Sequence, residues 1–94
     1  MSYLLVRHQV SDYAKWRTVF DQHEPTRKAA GSKAGHVLRG ADNPNELTIL
    51  LEWDSHERAR QFTESDDLRK IMESAGVVGR PDISFLDSAG TTTA

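Results

Sequence analysis

Four short apolar runs and two amphipathic helical stretches follow one another in the order strand, helix, strand, strand, helix, strand. This order leaves little choice of topology. A strand–helix–strand crossover is right-handed, so both helices fall on the same face of one sheet. The strand–strand hairpin makes its two members antiparallel neighbours.

The individual elements are legible in turn. Residues 3–10 (YLLVRHQV) alternate, with Leu4, Val6, His8 and Val10 on one face. Ser11 or Asp12 supplies an N-cap, and Tyr13, Trp16, Phe20 and His23 recur at helical spacing over residues 12–23. Pro25 disfavours helical geometry at Glu24 and suits the first turn of a new segment. A second short helical piece ending at Gly31 is therefore expected. GHVLRG (35–40) reads as the second strand, ADNPNE as a hairpin loop and LTILLEW (47–53) as the third strand. Asp54 and Glu57 have capping-box spacing ahead of a helix carrying Ala59, Phe62, Leu68, Ile71, Met72 and Ala75. Ser65 followed by Asp66 and Asp67 predicts a break near residue 64, and Gly76 ends the helix. GVVG (76–79) reads as a turn and DISFL (82–86) as the last strand. One domain spans residues 1–87, and residues 88–94 (SAGTTTA) are expected to form a disordered tail.

These elements predict an α+β fold: a ferredoxin-like βαββαβ unit, its antiparallel four-stranded sheet in the order 4-1-3-2 with two helices on one face. The helix-covered face is expected to collect Leu4, Val6, His8, Leu38, Ile49, Leu51, Trp53, Ile83 and Phe85. The opposite face collects Leu5, Arg7, Val37, Arg39, Thr48, Leu50, Glu52, Ser84 and Leu86. Such a face, apolar through Leu5, Val37, Leu50 and Leu86, points to a homodimer packed sheet to sheet, with Arg7, Arg39 and Glu52 as ion-pairing groups. The alternative is a solvated face of an antiparallel sheet. A chain of 94 residues gains stability from such association.

Composition removes several function classes. Twelve Lys and Arg against 14 Asp and Glu give a formal charge of -2, which argues against nucleic-acid binding and against a polybasic membrane surface. The absence of cysteine excludes disulfides, thiolate nucleophiles and Cys-based metal sites, and favours a cytoplasmic location. The first residues become charged after three apolar positions, too few for a signal peptide or a membrane span.

The segments VSDYAKWRTVFDQH (10–23), RKAAGS (27–32), DNPNELTILLEWDS (42–55), ARQFTESDDLRKIMESAGV (59–77) and PDISFLD (81–87) together resemble the dimeric α/β barrel superfamily. Within it, the antibiotic biosynthesis monooxygenase-like proteins are the nearest group. The resemblance spans residues 3–87 and is a whole-chain pattern without a catalytic signature. It implies two sheets packed as a barrel and a pocket between each sheet and its helices. Such proteins include cofactor-free oxygenases of polycyclic aromatics, haem-degrading enzymes, isomerases and proteins without known activity, and fold alone does not select among them.

Strand directions place His23, His36, Trp53 and Phe85 at one edge of the sheet, with His36 and Trp53 expected on the helix side and His8 toward the other end. His23 and His36 are thus the candidate acid/base pair. Trp53, Trp16, Phe20 and Phe85 are candidate substrate-binding walls. A neutral imidazole removing a phenolic or activated C–H proton leaves a carbanion that reacts with O₂ directly, with no metal or flavin. Core packing equally accounts for Trp16 and Phe20, and backbone contacts for the histidines: a helix C-terminus for His23, a strand end for His36. His23, His36 and His56 as metal ligands, or one of them as a haem ligand, lack a supporting spacing motif. His56, near an N-cap, reads as a surface residue. Arg27 and Lys28 are either a solvated helix face or an attraction for anionic substrates. A cofactor-independent monooxygenase acting on an aromatic or polyketide-like molecule is the first expectation. A non-catalytic small-ligand-binding or stress-related dimer is the second.

Overall fold

A computed structural model describes residues 2–94. The chain runs β1 (Ser2–Val10), α1 (Tyr13–Gln22), α2 (Glu24–Ala30), β2 (Ser32–Arg39), β3 (Glu46–Trp53), α3 (His56–Thr63), α4 (Asp66–Ser74) and β4 (Val77–Asp87). One sheet holds the four strands in the order β2-β3-β1-β4, every neighbouring pair antiparallel. This is the expected ferredoxin-like order, with each of the two helical stretches broken into two segments.

The breaks have local causes. Asp12 caps α1 by accepting from the Ala14 N–H, and Pro25 opens α2 one residue after His23 ends α1. The α3–α4 break lies at Ser65, whose Oγ accepts from the Leu68 N–H and donates to the Phe62 carbonyl. Gly76, with φ +81, takes the left-handed turn that leads from α4 into β4. The cap of α3 is Ser55 and not Asp54; Asp54 instead pairs with Arg58 one turn along. β4 is longer than expected and starts at Val77, so Val77–Gly79 of the GVVG segment belong to a strand that bends at Gly79. The register shift between Arg7 and Gln9 of β1 lies opposite this bend.

The core lies between the sheet and the helices. Leu4, Val6, Val10, Leu47, Ile49, Leu51 and Trp53 form its floor, covered by Trp16, Ala59 and Ala75. The alternation expected for β1 and β3 holds, but that of β2 is inverted. The hairpin brings Arg39 opposite Leu47 and Val37 opposite Ile49, which places Val37 and Arg39 on the helix side. Ala34, His36 and Leu38 therefore take the open face, where Leu38 is 54% exposed. A strand shifted by one residue exchanges its faces completely. Here the loop closes with the Gly40 N–H on the Glu46 carbonyl, which sets the pairing one residue away from the expected one. Arg39 does not join Arg7 and Glu52; its guanidinium covers the Tyr13 ring at 3.9 Å. Residues 88–94 form neither helix nor strand. Among the described residues no helix is long and apolar enough to cross a membrane.

Candidate functional site

A cavity of about 60 Å³ lies between the sheet and the helices. Its wall is apolar except for Thr63 and three buried side chains, His8, His23 and Arg27, each 7% exposed. They come from different elements. His8 alternates with Leu4, Val6 and Val10 along β1 and so points to the helix side. His23 sits at the α1–α2 junction, and Arg27 follows on α2. Trp16, Phe20, His23 and Arg27 are spaced 4, 3 and 4 residues apart, so one stripe runs through the helix break and faces the cavity.

Contacts among these residues fix their roles. The Trp16 ring packs edge-on against His8, with centroids 5.8 Å apart, and stacks on Phe20 at 4.7 Å. The Arg27 guanidinium covers the other side of Phe20, 3.7 Å from the ring centroid, and its Nη1 donates to the Phe20 carbonyl at 2.6 Å. His23 Nε2 lies 3.3 Å from Asp67 Oδ2 in the first turn of α4, and its ring rests on Phe62. The imidazole of His23 is thus tied to a carboxylate and not to the α1 carbonyls. His8 has no such partner, and its Nδ1 is buried without a hydrogen bond. Burial holds the His8 pKa below the ordinary value of 6.5, so the ring is neutral at pH 7.

The cavity therefore holds two imidazoles in different settings. One is placed beside a carboxylate, His23 against Asp67; the other, His8, is desolvated, which favours its neutral form. A neutral imidazole and a carboxylate-paired one thus face the same apolar cavity.

The expected histidine pair does not form. His36 stands opposite Leu50 on the open face, exposed and separated from His23 by the sheet. The inverted faces of β2 account for this. Trp53 is fully buried in the core, its ring tilted against Phe62 with centroids 5.0 Å apart, and is not part of the cavity wall. Phe85 lies apart with the Arg60 guanidinium at 4.2 Å and His56 edge-on. Of the expected wall, Trp16 and Phe20 line the cavity. The set His23, His36 and His56 is not assembled either, since His56 bonds Asp87 at 2.7 Å. Among the described residues no group of three or more His, Asp or Glu side chains is placed to hold a metal ion.

Sequence reasoning leaves His8 out of the site and reads Arg27 only as part of a solvated helix face or as an attraction for anionic substrates, yet each carries a further signal. His8 occupies a core position in the β1 alternation. Arg27 continues the Trp16–Phe20–His23 stripe, but Pro25 between them made a continuous face look improbable.

Sixty cubic ångströms hold a few waters; a ring needs more, since a cavity of about 150 Å³ takes up benzene. Phe20, Arg27 and Leu51 also line a cleft of about 320 Å³ on the outer side. They are the partition between cleft and cavity, and the half-buried Phe20 ring in it packs against Trp16 and Arg27.

No protein-family profile matches the sequence, and no curated protein matches it. Solved structures match over almost the whole chain. A candidate antibiotic biosynthesis monooxygenase from Bordetella bronchiseptica superposes with a TM-score of 0.80 at 15% identity, covering 94% of this chain and 96% of its own. SnoaB, a cofactor-independent oxygenase from Streptomyces nogalater, gives 0.78 at 15% identity, covering 99% and 97%. A conserved protein from Methanosarcina mazei gives 0.69 at 22% identity, covering 90% and 89%. The chain thus has the fold of the antibiotic biosynthesis monooxygenase structures.

Proposed function

We propose that the protein is a cofactor-independent monooxygenase of an aromatic or polyketide-like small molecule bound between sheet and helices. The observation that carries this reading is the convergence of His8 and His23 on one apolar cavity. The fold shared with SnoaB adds to it.

His23, held by Asp67, is the general base. It takes a proton from an activated CH₂ group of an anthrone-type substrate, and the imidazolium formed is stabilised by the carboxylate. Neutral His8 hydrogen-bonds a substrate oxygen without adding charge. The substrate carbanion supplies the electrons, and its carbon forms a bond to O₂. The resulting peroxide takes the proton back from His23. Loss of the second C–H proton with cleavage of the O–O bond leaves a carbonyl and releases water. One oxygen atom is retained and one leaves, so the reaction needs no outside reductant. Trp16 and Phe20 supply flat surfaces for the ring system, and apolar walls disfavour solvated anions other than the reacting one.

We also infer a homodimer paired through the open sheet face. Leu5, Leu38, Leu50 and Leu86 support it, with Leu38 and Leu86 54% and 41% exposed. Arg7 and Glu52 share that face, whereas Val37 and Arg39 do not. A cytoplasmic location is part of the same reading, supported by the lack of cysteine.

The small cavity volume favours a second reading, a binder of small ligands without catalysis. Oxygen consumption with a panel of anthrones and quinols separates the two. Uptake that disappears in His23→Ala supports the oxygenase. Ligand binding without uptake across the panel supports the binder.

A further inference from the structure

The acid–base roles above leave one buried group unexplained. Among the described residues no carboxylate lies within ion-pair distance of Arg27, although every salt-bridged arginine of this chain is on the surface. Its guanidinium has five N–H donors. One is given to the Phe20 carbonyl, and the flat side rests on the Phe20 ring. Neither contact neutralises the charge. Burial accordingly pushes its pKa down, opposed by the carboxylates of Glu24 and Asp21. Asp21 itself is paired with Arg17. A buried charge without a counter-charge is costly, and structures retain one where something else supplies the counter-charge.

Arg27 also occupies a particular place. It belongs to the partition, so one side chain lines both the inner cavity and the outer cleft. The cleft adds Arg17, Lys28 and Lys33 to Arg27, against Asp21 and Glu24, which leaves it net positive. A ligand arriving from solvent meets this cleft first.

We propose that Arg27 is the seat of an anionic group, and that the natural ligand is an aromatic carboxylate whose ring enters the cavity past Phe20. The planar guanidinium fork pairs with both oxygens of a carboxylate. This inference rests on the reading of the cavity as a ligand pocket and names the class of molecule it takes.

Calorimetric titration of the full chain with 2-naphthoate and with its neutral counterpart 2-naphthamide tests it. In the wild type, naphthoate is expected to bind at least about 10-fold more tightly than the amide, as charge-assisted pairing requires. Arg27→Gln is expected to reduce that preference to within about twofold, while Lys28→Gln retains it. Arg27→Lys keeps the charge but loses the fork, and is expected to show an intermediate preference; it serves where the glutamine variant does not fold. Equal affinities in the wild type, no binding of either compound, or a preference that survives in Arg27→Gln overturns the proposal. Naphthoate selectivity without oxygen uptake from any quinol leaves the anion seat standing and removes the oxygenase. Uptake with no selectivity for charge removes the seat alone.

Discussion

His8 and Trp16 meet edge to face, with ring centroids 5.8 Å apart, and through this contact a polar strand residue is built into the apolar wall of the cavity. The imidazole pays for that position with lost hydration, since its Nδ1 finds no hydrogen bond.

The first prediction concerns pH. The pKa of His8 is lowered by burial from the ordinary 6.5, so below pH 6.5 the unfolded chain binds a proton that the folded chain refuses. The stabilisation tied to neutral His8 is complete above that pH. It declines as pH falls below it, by at most about 1.4 kcal/mol per pH unit, until the folded imidazole protonates. Urea unfolding of the wild type and of His8→Phe between pH 7.5 and 5 checks this. The difference between the two curves is expected to narrow or reverse toward low pH in favour of the variant. A constant difference contradicts it.

Phe20 is stacked between Trp16 and the Arg27 guanidinium. Phe20→Ala removes the partition between cleft and cavity. Because the ring is half-buried, the expected cost lies at or below the low end of the ~3–5 kcal/mol seen for buried Phe→Ala. Faster quenching of Trp16 fluorescence by acrylamide, together with a lower unfolding midpoint, is the expected outcome. Unchanged quenching contradicts the assignment of Phe20 as the barrier.

Ser65 fixes the junction from which Asp67 reaches His23. Ser65→Ala is expected to cost about 1 kcal/mol through the lost cap. It is also expected to loosen the His23–Asp67 pair. The His23 ring ¹⁵N chemical shifts, recorded at one pH, then respond less to Asp67→Asn in the Ser65→Ala background than in the wild type. An equal response means that the cap does not position the carboxylate.

The open sheet face supplies a fourth prediction. Leu50→Asp places a charge among Leu5, Leu38 and Leu86 without touching the core. Sedimentation of the wild type at micromolar concentration is expected to give a dimer and the variant a monomer. A monomeric wild type refutes the pairing.

The architecture was legible because β1 and β3 alternate cleanly and both helical stretches carry apolar stripes. Gly31, Ser65 and Gly76 marked the segment ends. The site was legible only in part. Trp16, Phe20 and His23 lie on one helical face and reached the cavity together. His36 did not, because β2 is an edge strand whose side-chain faces depend on a hairpin register that GHVLRG does not specify. Gly35 and Gly40 weaken its pattern further, and its burial is almost the same on both faces. The alternation puts His8 on the correct face, but its place toward the far end of β1 does not reveal that the cavity extends across the sheet to it. For Arg27 the sequence leaves a solvated helix face or an attraction for anionic substrates open; its burial is not legible, because arginine is rarely buried without a partner.

The location of the site is tested most directly by imidazole ¹⁵N spectra of the full chain, recorded anaerobically with and without 1,8-dihydroxy-9-anthrone. The anthrone is expected to shift the ring nitrogens of His8 and His23 and to leave those of His36 in place. Shifts confined to His36, or no response at His8 and His23 under saturating anthrone, contradict the cavity as the site.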